Sequence, residues 1–90
     1  MMDYRVYLLL DVVDGRDEQA AQVLRENPGV VMADALEDAL EGSPKVVVVI
    51  EAPERKRLAK WTIEALTSVE MLTEQVRLLP TRNRLNHIGP

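Results

Sequence analysis

The 90-residue sequence has no cysteine, no phenylalanine and a single histidine. Because cysteine is absent, a disulfide framework, a thiolate metal site and a cysteine nucleophile are all excluded. The histidine, His87, lies near the carboxyl terminus, where no second residue is fixed against it, so a Ser-His-Asp arrangement is not expected. We therefore expect a protein that is not an enzyme and that holds neither a metal ion nor a cofactor.

Long apolar runs are also absent. A run such as residues 46–50 is far shorter than the roughly 20 apolar residues that span a bilayer, and the amino terminus lacks the basic region and cleavage site of a secretory signal. The 11 Lys and Arg residues against 15 Asp and Glu give a net charge of −4, which argues against direct binding to nucleic acid. We expect a cytoplasmic protein with no membrane or nucleic-acid partner.

Aromatic residues are scarce, with one Trp and two Tyr, although hydrophobic residues make up 47% of the sequence. The core must therefore be built from Val, Leu, Ile, Ala and Met. A chain of 90 residues allows one domain, which we place at residues 4–80, followed by a basic tail at 81–90. A domain of this size buries only about 60 to 65% of the surface that its unfolded chain exposes, so a partner subunit is a natural source of added stability.

The apolar pattern predicts four strands and two helices. Strands are predicted at residues 4–13, 30 to about 36, 45–51 and 71–79, where Val, Leu, Ile and Tyr are concentrated between turn residues. A first helix is predicted at 17–27, ended by Asn27-Pro28-Gly29. A second helix is predicted to open at Ala52-Pro53-Glu54, with Pro53 at a first helical position and an apolar stripe formed by Leu58, Ala59, Thr62, Ala65, Leu66 and Val69.

The order βαββαβ predicts an α+β, ferredoxin-like fold, in which two helices cover one face of a four-stranded antiparallel sheet with strand order 4-1-3-2. The first and third strands carry apolar residues on both faces and are therefore expected in the centre. The face without helices needs a cover, for which a second copy of the sheet is the simplest candidate. The pattern alone leaves open whether Leu8 or Leu9 faces that copy. The residues assigned to this homodimer interface are Tyr7, Leu9, Val47, Val49 and Arg77.

A set of segments spread over residues 4–80 follows the pattern of a known family: 4–13, Val23-Leu24-Arg25, Pro28-Gly29-Val30, Met32-Ala33-Asp34-Ala35, Gly42, 46–52, Val69 and Thr73. These segments resemble the effector-binding (RAM-type) domain of leucine-responsive (Lrp/AsnC) transcriptional regulators. In that family the domain usually follows a DNA-binding helix-turn-helix, which does not precede it here, so we expect a stand-alone version. The resemblance implies a homodimer packed sheet against sheet, able to form larger rings, with small effectors, commonly amino acids, held between protomers.

The family's effector site includes a Gly-x-Tyr-Asp turn at the second hairpin, and Gly42-Ser43-Pro44-Lys45 occupies that place here. Lys45 stands where the family has the acid that holds an ammonium group. A cation there would repel the ammonium group of an amino acid, so we expect a small carboxylate ligand, or no small molecule at all and a protein partner instead. Asp34 joins Gly42 and Lys45 as a candidate effector-binding residue, because a carboxylate in an apolar strand needs a partner: Arg77 or Thr73 of a neighbour, or a ligand.

Each of these features has an alternative explanation. Lys45 is also explained as a solvated charge beside Glu41. Trp61, a candidate anchor for a partner, is also explained as a side chain that closes an edge of the core. The tandem of residues 35–38 and 39–42 lengthens the hairpin, either as longer strands or as an acidic loop. For function, we expect a non-catalytic ligand-sensing or assembly domain. The alternative is a small protein-binding adaptor or maturation chaperone of the same fold, which binds a peptide on its sheet.

Overall fold

The computed structural model describes residues 4–37 and 43–79, so the tail at 81–90 with His87, and the second half of the tandem at 39–42, lie outside the described residues. The elements are strand β1 (Tyr4–Val12), helix α1 (Asp17–Arg25), strand β2 (Val30–Ala35), strand β3 (Val46–Ala52), helix α2 (Arg55–Ser68) and strand β4 (Thr73–Leu79). Neighbouring strands are antiparallel, and the sheet order is β2-β3-β1-β4. The α+β class, the order of the elements and the strand order 4-1-3-2, counted from the other edge, are therefore confirmed.

The hydrophobic core lies on one face of the sheet, where both helices pack. Alternate residues of β1 and β3 point into it, and the helices contribute side chains at helical spacing. Burial of this apolar surface, at about 25 cal/mol per Å², is the main term that stabilises the fold. The buried residues of this core are Leu8, Leu10, Val12, Ala20, Ala21, Leu24, Ala33, Val46, Val48, Ile50, Ala65 and Val69.

Helix α1 ends at Arg25, earlier than the predicted residue 27, because the chain tightens into a turn before Pro28. The side-chain amide of Asn27 donates to the carbonyl of Val23 at 3.2 Å and to Ser68 Oγ at 2.9 Å. These bonds cap α1 and tie its end to the end of α2. Gly29 then leaves the turn with φ of 82°, a conformation that glycine adopts without steric strain.

Helix α2 begins at Arg55, later than predicted. Pro53 does not occupy the first helical position, because Glu54 is still extended, with φ of −135° and ψ of 150°. The carbonyl of Glu54 accepts the first helical hydrogen bond, from the amide of Leu58 at 2.9 Å. Glu54 is therefore the N-cap, and Pro53 precedes the helix.

The apolar stripe of α2 includes Trp61 and excludes Ala59. Ala59 is exposed, whereas Trp61 is half-buried and packs against the core. Trp61 shares a face with Leu58 and Ala65, which lie one helical turn before and after it. The guanidinium of Arg57 lies 5.8 Å from the centre of the Trp61 ring, so the outer side of the indole is covered as well. The prediction that Trp61 closes an edge of the core is consistent with this packing.

Strand β4 receives little cover from the helices. α2 packs on β3 and β1, so the residues of β4 that face the helix side remain accessible. Val76 pairs with Leu10 and Leu78 with Leu8, yet Val76 and Leu78 are 43% and 61% exposed. Strand β4 is thus an edge strand with accessible side chains on both faces, as the mixed pattern of residues 71–79 predicted.

Candidate functional site

The face of the sheet opposite the helices, which we call the open face, has an apolar centre. β1 and β3 place Leu9 beside Val47 and Tyr7 beside Val49. Toward the edges, Met32 of β2 extends the row of Val49, and Leu79 of β4 extends the row of Tyr7. The structure therefore brings the predicted interface residues to one face; those on the open face are Tyr7, Leu9, Val47, Val49 and Arg77.

The apolar centre is only partly covered by its own side chains. Val49 is only 6% exposed within one chain, because Met32 and Tyr7 flank it. Leu9, Val47 and Tyr7 are half-buried, and Met32 and Leu79 are 38% and 37% exposed. No element among residues 4–37 and 43–79 packs over these side chains. Soluble domains rarely leave an apolar patch open without a partner for it.

Ion pairs close the two ends of the apolar centre. At one end the ammonium of Lys45 lies 3.2 Å from Asp11 and 3.4 Å from Asp14. The hydrogen bond to Asp11 raises the pKa of Lys45. The side chains of Lys45 and Asp11 are both mostly buried, so Lys45 is neither a freely solvated charge nor an unoccupied anion site. An anionic ligand would have to compete with Asp11 for it.

At the opposite end, Arg5 pairs with Glu51 across the two central strands. Arg5 also donates to the hydroxyl of Tyr7 at 3.0 Å. The bonds to Tyr7 and Glu51 raise the pKa of Arg5. Its charge therefore stays fixed against the rim of the apolar centre, and the Tyr7 hydroxyl has a partner before anything covers the face.

Between these ends, one row of the open face carries a charge at each edge. Asp34 on β2 lies beside Val47, and Arg77 on β4 lies beside Leu9, so the row crosses all four strands. Asp34 Oδ1 accepts a hydrogen bond from Arg25 Nη2 at 3.3 Å. The sequence had predicted Arg77 or Thr73 of a neighbour, or a ligand, as its partner; within one chain that partner is Arg25.

Arg77, beside Leu9 at the β4 edge of the face, has no acidic partner within 4.0 Å in the part of the chain that the structure describes. The Arg25–Asp34 pair is about half-exposed on both sides, and exposed pairs of this kind contribute only about 0 to 1 kcal/mol. The two charges at the edges of this row are therefore available for further pairing.

The candidate effector residues are only partly brought together. Gly42 lies outside the described residues. Asp34 lies on β2 and Lys45 immediately before β3, but Asp34 pairs with Arg25 and Lys45 with Asp11. Because Asp34 and Lys45 each have a separate partner, the described candidates form no joint site within one chain.

A shallow depression lies at the end of the open face that carries Lys45 and Asp11. Its volume of about 10 Å³ is close to the space of one water molecule. Its walls include Pro44, which belongs to the turn at the expected effector site, and Gln75, which was not among the predicted site residues. Gln75 lines the depression because it pairs with Asp11 across β1 and β4. The register of these strands shifts next to this pair, at a bulge in β4 that the sequence does not reveal. The lining residues are Leu9, Asp11, Pro44, Gln75 and Arg77.

No family model matches the chain, and no curated protein matches it. Within residues 4–37 and 43–79, no group of three His, Asp or Glu side chains is placed to hold a metal ion. In the same residues, no helix has both the length and the apolar character needed to cross a membrane. The open face, with its apolar centre and its charged edges, is the principal candidate site of this domain.

Proposed function

We propose that this protein is a non-catalytic assembly or ligand-sensing domain, similar to the effector-binding domain of Lrp/AsnC regulators, and that it works as a homodimer joined through its open faces. The observation that carries the proposal is the apolar centre of the open face, which stays partly accessible beside a fully formed core. Covering it with a second sheet adds a second apolar layer to a domain that is too small for a large core.

The charges of the open face support the same proposal. The mostly buried pair at one end, Lys45 with Asp11, is satisfied within the chain. Arg5 with Glu51 at the other end is likewise paired. A second sheet can therefore approach without leaving these charges unpaired, which is the arrangement that makes burial of a charged rim tolerable.

The oligomeric state tests the proposal directly. Light scattering of the full chain at micromolar concentration is expected to give at least twice the chain mass of 10.2 kDa. A stable monomer under these conditions would contradict the proposed homodimer. That result would favour the alternative in which the open face receives a peptide, as in a small adaptor or maturation chaperone.

Free amino acids are not expected to stabilise the protein. The depression beside Asp11 has room for about one water molecule. Its acid, Asp11, is already bound to Lys45, so the ammonium of an amino acid meets no unpaired carboxylate there. A thermal-shift screen of the common amino acids at millimolar concentration should leave the melting temperature unchanged, because only a ligand that binds the native state raises it, and it does so increasingly with ligand concentration.

The control for this screen is Lys45→Ala, which removes the cation that would hold the carboxylate of an amino acid bound at this end of the face. A concentration-dependent rise with leucine, lysine or glutamine in the wild type, lost in Lys45→Ala, would show that this end of the face binds amino acids after all.

A further inference from the structure

The two edge charges of the open face, Asp34 and Arg77, lie at opposite ends of the same row, with Val47 and Leu9 between them. We propose that the two-fold axis of the homodimer runs parallel to the strands, between β1 and β3, so that Asp34 of each protomer pairs with the partner's Arg77. This inference rests on the proposed homodimer and specifies how its two sheets are oriented.

For sheets whose strands are roughly aligned, two face-to-face arrangements have two-fold symmetry. An axis parallel to the strands places β2 over the partner's β4 and keeps each row opposite the same row. An axis perpendicular to the strands places each strand over its own copy and reverses the order of the rows. The positions of the charges on the open face distinguish these arrangements.

The charged ends of the face are compatible with both arrangements. With the parallel axis, Lys45 lies over the partner's Asp11 and Arg5 over the partner's Glu51. With a perpendicular axis centred between the Val47 and Val49 rows, Lys45 lies over the partner's Glu51 and Arg5 over the partner's Asp11. Unlike charges meet in either case, so the ends do not select an orientation.

The two middle rows, those of Val47 and Val49, do distinguish the two arrangements. With the perpendicular axis, Asp34 lies over the partner's Met32 and Arg77 over the partner's Leu79, which covers each charge with an apolar side chain. Asp34 would keep Arg25 as its partner, but Arg77 has no acidic partner among the described residues, and uncompensated burial of its charge is strongly unfavourable. With the parallel axis, Asp34 meets the partner's Arg77, and Met32 meets the partner's Leu79, so both rows are complementary.

The distances are compatible with this pairing. Packed sheets lie about 10 Å apart, and an angle of about 30° between them displaces the edge strands by roughly 4 Å. The long side chain of Arg77 can span such a gap. Asp34 uses Oδ1 for Arg25, and a carboxylate has a second oxygen that can accept from another guanidinium.

Charge reversal tests the pairing, in an Arg25→Gln background that removes the partner of Asp34 within the chain. Arg25→Gln alone is the control and should dimerise like the wild type. Adding Asp34→Arg, or adding Arg77→Asp, should raise the dimer dissociation constant at least about 30-fold, because two attractive contacts become repulsive. Mixing these two variants, or combining both changes in one chain, should restore the dimer in sedimentation equilibrium.

Cross-linking tests the orientation without altering the charges. The chain has no cysteine, so Met32→Cys and Leu79→Cys each introduce a unique thiol. With the parallel axis, residue 32 of one protomer faces residue 79 of its partner at about 10 Å. Two copies of the same position are in addition displaced sideways, across the strands, by three strand spacings of about 4.8 Å each. After subunit exchange, a bismaleimide spanning about 10 Å should cross-link the mixture and neither variant alone.

Each other outcome has a definite meaning. Efficient cross-linking within each single variant, with no cross-link between the two different positions in the mixture, would overturn the parallel axis and leave the homodimer in place, as would edge-charge reversals that do not change the dissociation constant. A scattering mass of a dimer without cross-links in any sample would show that the dimer does not use the open face. A monomer would overturn the proposed function together with this inference.

Discussion

Leu9→Asp is expected to give a folded monomer, whereas Leu8→Asp is expected to give a chain that does not fold. The two positions are adjacent in β1 and point to opposite faces of the sheet. Leu8 is 2% exposed and belongs to the core under the helices. Leu9 is half-buried on the open face, beside Val47 and Arg77.

The size of each effect follows from these surroundings. A carboxylate at Leu8 would be surrounded by aliphatic side chains with no cation, at a cost above about 5 kcal/mol, which is comparable with the whole stability of a small domain. A carboxylate at Leu9 lies next to Arg77 and reaches water in the monomer. In the homodimer it would lie near the centre of the interface, and we expect the dissociation constant to rise at least about 1,000-fold.

Far-UV circular dichroism, urea unfolding and light scattering distinguish these outcomes. Leu9→Lys is the matched control for the sign of the charge, because it should also give a folded monomer although it cannot pair with Arg77. If Leu9→Asp remained a dimer, the open face would not be the interface. If it unfolded like Leu8→Asp, the sheet would have no separable second face.

Much of the fold follows from alternation in the sequence. Residues with apolar character at both odd and even positions mark β1 and β3 as central strands, because a central strand has a neighbouring strand on each side, and the side chains of those neighbours flank its own on both faces. The polar residues at Asp34 and Arg77 mark β2 and β4 as edges for the same reason. The topology then follows from the right-handed connection of each strand through its helix.

The ion pairs of the open face could not be predicted in this way. Lys45 meets Asp11 because the register pairs Leu10 with Val46, and register depends on the hairpin and on packing rather than on local pattern. The partner of Asp34 is likewise set by how α1 docks, since Arg25 also donates to the Ala33 carbonyl at 2.8 Å.

The start of α2 and its apolar stripe were mispredicted for a different reason. Pro53 and Ala59 both satisfy local preferences for the positions predicted for them. The close approach of α2 to the turn before β2 instead selects Trp61 as the side chain that faces inward, because glycine at position 29 leaves space for an indole ring.

That contact makes Gly29→Ala a strongly destabilising substitution. Gly29 has φ of 82°, and an added Cβ would lie 2.4 Å from Trp61 Cε3 and 2.9 Å from the carbonyl oxygen of Glu51. The backbone cannot easily move away, because the amide of Glu51 donates to the Gly29 carbonyl at 2.8 Å. Left-handed strain and overpacking together should lower the free energy of unfolding by about 2 to 5 kcal/mol.

Gly15→Ala is the matched control for the backbone contribution. Gly15 has φ of 81°, close to that of Gly29, but no atom lies within 4 Å of an added Cβ. It should therefore cost only the strain of about 1 to 2 kcal/mol. Urea unfolding of both variants at one protein concentration measures the difference, which isolates the contact with Trp61 and Glu51, since the stability of a dimer depends on concentration.

A third variant separates the two contacts that the added methyl group would make. In a Trp61→Leu background the indole is gone, and the cost of Gly29→Ala should fall toward that of Gly15→Ala, leaving only the contact with the Glu51 carbonyl. Residues that touch are expected to show such non-additivity, typically about 0.5 to 3 kcal/mol. Equal costs for Gly29→Ala and Gly15→Ala in the wild-type background would mean that Trp61 does not pack on this turn. Full additivity in the Trp61→Leu background would assign the cost beyond the strain measured at Gly15 to the contact with the Glu51 carbonyl.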